Sequence, residues 1–155
     1  MGSFHEELGY NQDGVMYMDK AIITIRTLLP GETEYIELTS QGFIQRIDET
    51  IHVSYKESEL TGMDNTDTTI IMAGSVVTIR REGDFVSNLE FSRREPKICL
   101  YHTPYGTLNV TTHTKDYSFQ DDGKELNMHL NYGLVIEGEH QGDTQMDITI
   151  RDREQ

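Results

Sequence analysis

Cysteine occurs once in this 155-residue chain, proline three times and tryptophan not at all. With Cys99 alone, no intrachain disulfide can form. Its place between Ile98 and Leu100 reads as that of a buried, unreactive thiol. No run approaches the roughly 18 apolar residues that a membrane helix needs. The opening MGSFHEELGYNQDGVMYMD has no cationic stretch leading into an apolar one, as a secretory leader would. Glu6 stands where a myristoylation signal carries Ser or Thr. The expected compartment is therefore the cytoplasm. Two catalytic signatures are missing as well: no glycine-rich loop opens a helix to cradle phosphate, and no Gly-x-Ser-x-Gly elbow presents a nucleophile.

Basic residues are also scarce, 13 against 27 acidic ones, for a net charge of −14. Such a field repels phosphate backbones and anionic headgroups, so neither nucleic acid nor a membrane surface is an expected partner. Surplus acid of this kind ordinarily serves solubility. The length suits one domain, large enough to bury a core without covalent staples.

What the chain does contain is short alternating runs of β-branched and aromatic residues. Residues 1–19 are polar and aperiodic and read as a flexible arm; 20–155 read as the folded domain. Strands are expected over 21–29, 33–46, 50–57, 68–73, 76–81, 85–91, 97–103, 107–114, 117–120, 126–137 and 145–151. Gly, Pro, Asn and Asp punctuate them. In 126–137 the apolar residues Leu126, Met128, Leu130, Tyr132, Leu134 and Ile136 fall at every second position, the period of a strand and not of a helix. The tight reversals at Gly74 and at Glu82-Gly83-Asp84 leave room for antiparallel pairing only. Gly42 inside a long strand suggests a bulge or sharp bend. The fold class expected is all-β, a single antiparallel up-and-down barrel of about 8–10 strands, because closure removes exposed edges. A two-sheet sandwich is the alternative.

Three strings carry a family likeness: YKESELTGMDNTDTT (55–69), YHTPYGTLNV (101–110) and LNYGLVIEG (130–138). With the strand spacing between them, the chain resembles the YwiB-like family of bacterial domains of unknown function over about residues 20–151. The resemblance implies a calycin-like barrel, related in shape to lipocalins, and implies no activity. The lipocalin Gly-x-Trp is absent, so a carrier role on that likeness is an analogy of fold alone.

Candidate chemistry gathers around Tyr55, Glu57 and Glu59. If the strand continues through Glu59, all three share one face, about 6–7 Å apart, with Ile51 and Val53 leading into them. Two carboxylates so placed can share a proton or clamp a cation, or can pair with Arg80 or Arg81 across the sheet. Asp64, Asn65 and Asp67 lack the order of a calcium loop and suit turn formation instead. His52, His102, His113, His129 and His140 fall singly, without metal-ligand spacing. Tyrosines on the strands either line a cavity with rings and hydroxyls or fill it.

These readings converge on a small-molecule-binding barrel with a partly polar interior, with no catalysis, no metal and no cofactor. Tyr55, Glu57, Glu59, Arg80, Tyr101 and Tyr132 are its candidate pocket residues. The alternatives are a barrel enzyme using Glu57 or Glu59 as general acid or base, and a protein-interaction module, as in a homodimer formed through a barrel face.

Overall fold

A computed structural model of the chain describes residues 19–152. The expected N-terminal arm, except Asp19, lies outside the described residues, as do 153–155. Ten antiparallel strands form one sheet: β1 (Asp19–Leu28), β2 (Ile36–Ile47), β3 (Thr50–Lys56), β4 (Thr66–Ala73), β5 (Val76–Gly83), β6 (Ser87–Ser92), β7 (Lys97–Thr103), β8 (Gly106–Asp121), β9 (Glu125–Ile136) and β10 (Glu139–Asp152). Their lateral order is β6-β5-β4-β3-β2-β1-β10-β9-β8-β7. Each strand therefore lies beside its neighbours in the chain, and the first pairs with the last. This is the expected up-and-down barrel. Its ring is left nearly open at one seam, between β6 and β7, where Val86 and His102 exchange two backbone bonds of 2.9 and 2.8 Å as a single bridge.

The alternation read from the sequence builds the core. Inward residues such as Ile23, Val53, Ile70, Met72, Val77, Leu130 and Ile148 are almost wholly shielded from water. Each such side chain contributes roughly 1.5–3 kcal/mol by leaving water. Two expected strands prove to be one. The segments at 107–114 and 117–120 both belong to β8, whose register against β9 shifts between Thr114 and Asp116. That bulge changes the parity of the strand: Val110 and Thr112 point inward before it and Tyr117 after it. A second register shift, between His140 and Asp143, lets β10 begin earlier than its apolar pattern suggested. Among the described residues the one helical piece is a 3-10 turn, Glu59–Thr61. No helix among them is long and apolar enough to cross a membrane.

Gly42 lies in an unbroken ladder, paired with Ala21 on one side and Tyr55 on the other, so it marks no bulge. Its role is close approach. A Cβ there would sit 2.2 Å from the Ser54 carbonyl oxygen and 2.6 Å from Ile23 Cδ1. The missing side chain lets β2 and β3 bend together around the core. Gly42→Ala should therefore destabilise the fold by about 3 kcal/mol or more, the upper range for overpacking, measured as a fall in the midpoint of urea unfolding at unchanged slope.

The barrel end carrying the β2–β3 and β8–β9 turns is bridged by Arg46 and Asp121. Nε and Nη2 of the guanidinium donate to the two carboxylate oxygens at 3.0 and 2.9 Å. The Arg46 hydrogen bond, with a further one from the Gly123 N–H, holds the Asp121 carboxyl below its usual 3.8. A carboxylate whose value is depressed in the folded state adds stability that is complete above the unfolded value and is lost as pH falls through the folded one. Asp121→Asn should thus lower the melting temperature at pH 7 and leave a shallower decline below pH 4 than the parent shows in thermal scans.

Candidate functional site

At the opposite end of the barrel the core turns polar. Cross-strand pairing aligns Gly42 with Tyr55, Tyr55 with Thr68, Thr68 with Arg81 and Arg81 with Ser87. Directly opposed residues share a face, so this row runs along the inner wall from β2 to β6. Period two explains each member. Thr68 continues the inward set Ile70 and Met72, Arg81 the set Val77 and Ile79, and Ser87 the set Leu89 and Phe91.

Glu57 joins the row from just beyond the end of β3. Its N–H donates to the Thr66 carbonyl at 2.9 Å, extending the β3–β4 pairing by one residue. The chain then leaves the sheet. The Ser58 hydroxyl accepts from the Leu60 N–H, and Gly62, at φ 76°, terminates the 3-10 turn in the left-handed region. The two carboxylates are consequently separated: Glu57 is 8% exposed, while Glu59 lies on the turn, facing solvent. The expected shared face fails because the strand ends at Lys56.

The Glu57 carboxylate accepts from the Thr68 hydroxyl at 2.5 Å. Arg81, its side chain 13% exposed, brings Nε to 3.9 Å from the same carboxylate, close enough for ionic attraction but too far for a hydrogen bond. Arg80, the expected partner, lies exposed on the outer face of β5, because a residue next to an inward one points outward. Tyr55 lies against Glu57 and Thr68, and its phenol is held protonated well above the usual tyrosine range, first by burial and then by the neighbouring carboxylate. The Tyr132 phenol is also pushed up by burial, against the opposing pull of Arg81 and a hydrogen bond with Thr144. Its ring packs on Phe91 at 4.7 Å between centroids. Tyr101 packs edge-on to Phe85 at 6.4 Å and donates to the Met63 sulfur at 3.7 Å. Of the six candidate residues, Tyr55, Glu57, Tyr101 and Tyr132 face the interior, and Glu59 and Arg80 do not.

Two buried polar atoms in this row have no hydrogen-bond partner: Arg81 Nε and the Ser87 hydroxyl. They are cross-strand partners, and Ser87 is 5% exposed. A buried donor left unmatched costs about 1–3 kcal/mol. Both residues line a groove of about 470 Å³ along the β6–β7 seam, with Arg80, Asn88, Cys99, Leu100 and His102 among the other walls. The groove exists because the two strands separate beyond the Val86–His102 bridge. Cys99, expected to be buried, is half-buried for the same reason: β7 is an edge strand. Arg81 thus stands in the groove wall while its guanidinium turns toward Glu57 in the interior cluster.

A smaller pocket of about 250 Å³ lies at the rim, where Ile23, Ile25, Leu38 and Leu60 surround Tyr55 and Glu57. On the outer wall, His129 Nδ1 lies 2.7 Å from Asp147 and Nε2 lies 3.8 Å from Asp116, so the imidazole braces two carboxylates beside the β8 bulge. Among the described residues, no three or more His, Cys, Asp or Glu side chains gather to hold a metal ion.

Comparison with known proteins agrees with the likeness drawn from the three strings. Residues 22–148 match the family described as Domain of unknown function (DUF1934). No curated protein matches the chain. Among solved structures, the crystal structure of ywiB protein from Bacillus subtilis is similar, with a TM-score of 0.75 at 20% identity, covering 87% of this chain and 92% of that one. At that identity the likeness concerns the fold.

The shielded phenols make the site visible to alkaline titration. Burial raises Tyr55 and Tyr132, and it pushes Tyr117, whose hydroxyl has no hydrogen-bond partner, up to about 12. A group raised in the folded state adds stability that is whole below its unfolded value and is lost as pH climbs through the folded one. Tyrosinate absorbance near pH 10.5 should therefore lack these three of the eight tyrosines, and their signal should appear together with unfolding.

Proposed function

We propose, for a chain that belongs to the DUF1934 family and shares the YwiB fold, that the barrel binds a small molecule where Arg81 and Ser87 meet the seam groove. One observation carries the reading: an opening of ligand size runs along the seam, walled mainly by outward residues of β5, β6 and β7, and Arg81 and Ser87, which bear two buried, unpartnered polar atoms, stand in the same wall. Binding sites for small molecules are typically concave, of roughly 300 Å³ or more, with a few convergent polar groups on a rigid support. The groove meets that description and rests on strands, not loops. The reading retains the partly polar interior expected from the sequence, with the ligand approaching from the side of the barrel.

Glu57, Tyr55 and Thr68 act in this reading as support. Glu57, fixed by the Thr68 hydroxyl, holds Arg81 in place through charge while the groove receives the ligand. Tyr101 and Tyr132 form the apolar backing. The single thiol in the sequence suits a reducing compartment, the cytoplasm, as the place where it works. A catalytic role for Glu57 with Glu59 has less support, since the two no longer share a face.

Native mass spectrometry of freshly purified protein should show a retained small molecule, diminished in Ser87→Ala while the fold, followed by circular dichroism, is unchanged. NMR titration with a mixed small-molecule set should move resonances of Ser87, Cys99 and His102 first. A set that leaves those three residues still, together with unliganded mass spectra, would sink the reading.

A further inference from the structure

We infer that two copies of this chain pair through the outer face of β7, about a two-fold axis, with Ile98, Leu100 and Val86 at the centre of the contact. The inference goes beyond the ligand reading and does not rest on it.

β7 inverts the rule that builds the core. In β5, β6 and β9 the inward set is apolar: Val77 and Ile79, Leu89 and Phe91, Leu126 with Met128 and Leu130. In β7 the positions of inward parity hold Lys97, Cys99 and Tyr101, while Ile98 and Leu100 stand outside, 80% and 52% exposed. Alternate residues on one face of a strand lie about 6–7 Å apart, so these two are neighbours. Val86, 43% exposed, extends the stripe across the seam as the bridge partner of His102. Apolar side chains scattered singly on a surface need no explanation, but a contiguous set marks a contact surface.

The surroundings have the character of a contact rim. On β8, Thr107, Asn109 and Thr111 lie opposite His102, Leu100 and Ile98, and none of the three carries charge. Elsewhere the outer wall is fastened by ion pairs, Arg26 with Glu37, Lys115 with Asp143 and Arg151 with Glu125. An apolar centre poor in charge inside a polar rim is the anatomy of a protein–protein interface.

Charge selects a second copy as the occupant. Residues 80–97 contain five of the 13 basic residues and four acids, a local balance of +1, while the rest of the chain carries −15. Two copies therefore repel over most approaches and are relieved of that repulsion at this sector. The sector is also complementary to itself. Arg80 and Glu82 stand exposed on one face of β5 beside the stripe, and neither forms an ion pair with any described residue. A two-fold contact sets residue i against j and j against i, so Arg80 of each copy meets Glu82 of the other. Such a contact is complete at two copies. It roofs the groove of about 470 Å³ and leaves that volume between them.

The test is sedimentation velocity of the full chain over a concentration series, with no ligand added. The mass should rise from one chain to two and stop there. Ile98→Asp, at a site too exposed to threaten folding, should weaken pairing by about thirtyfold or more, the loss of a hot-spot contact. Arg80→Glu and Glu82→Arg should each weaken it, and the two together should restore it, which no folding defect imitates. Leu60→Asp, on the 3-10 turn and 83% exposed, should leave the mass unchanged. A chain still single at millimolar concentration would overturn the inference and leave the stripe to a different protein. So would pairing that survives Ile98→Asp, that ignores both charge reversals, or that Leu60→Asp abolishes. The ligand reading stands or falls on its own titration, since these measurements contain no ligand.

Discussion

The ladder between the first and last strands holds this ring together. Eight opposed pairs, from Ala21 with Asp152 to Leu28 with Gln145, tie β1 to β10 across nearly the full length of the described chain. No other pairing joins residues so distant in sequence, so it carries the largest loss of chain entropy on closure and the slowest search. Once it forms, all remaining neighbours in the ring are also neighbours in the chain. The gap that any imperfect ring must keep is displaced to the middle of the sequence, between β6 and β7. The candidate site lies at that gap because of where the strong ladder lies.

Legibility followed parity. Wherever alternation runs without interruption, as in β3 and β9, inward and outward residues are readable from the sequence, and the barrel with them. The sequence misleads where parity changes or a strand stops. Arg80 is a separate case: β5 alternates cleanly, and Val77 and Ile79 assign the inward position to Arg81 instead. Glu59 was carried on a strand that ends at Lys56, since Ser58 and Gly62 spell a capped turn whose strength against strand extension no pattern reveals. The two pieces of β8 looked separate because a one-residue bulge makes inward positions switch from even to odd. Cys99 was read as buried from its apolar flanks, but which strand stands at an edge is a property of the closed ring and is written in no local segment. Arg81 and Ser87 were missed as a pair for a related reason: they are joined only by the β5–β6 register.

A guanidinium and a carboxylate inside a small barrel are expensive to desolvate, and apolar residues of similar volume would often serve stability as well or better. This cluster nevertheless has nearly complete support: Thr68 on Glu57, Tyr55 beside both, and aromatic packing around Tyr132. Its incompleteness lies at Arg81 Nε and the Ser87 hydroxyl, which have no hydrogen-bond partner. Local departures from what stability alone would select are characteristic of sites shaped for another purpose.

The open seam has a second consequence, for how copies of the chain behave toward one another. Unpaired strand edges are templates on which other chains can grow, the route to runaway polymerisation and fibrils. Here the approach to β7 reads Arg93-Arg94-Glu95-Pro96-Lys97. A proline cannot donate to an incoming strand, and the dense charge penalises a flat dry contact, so the segment works as a gatekeeper. At the far end the Val86–His102 bridge occupies the edge, and between them the Thr112 hydroxyl takes the Glu90 carbonyl at 2.6 Å. The edge is thereby broken into stretches too short to seed a growing fibril, while a small guest can still enter.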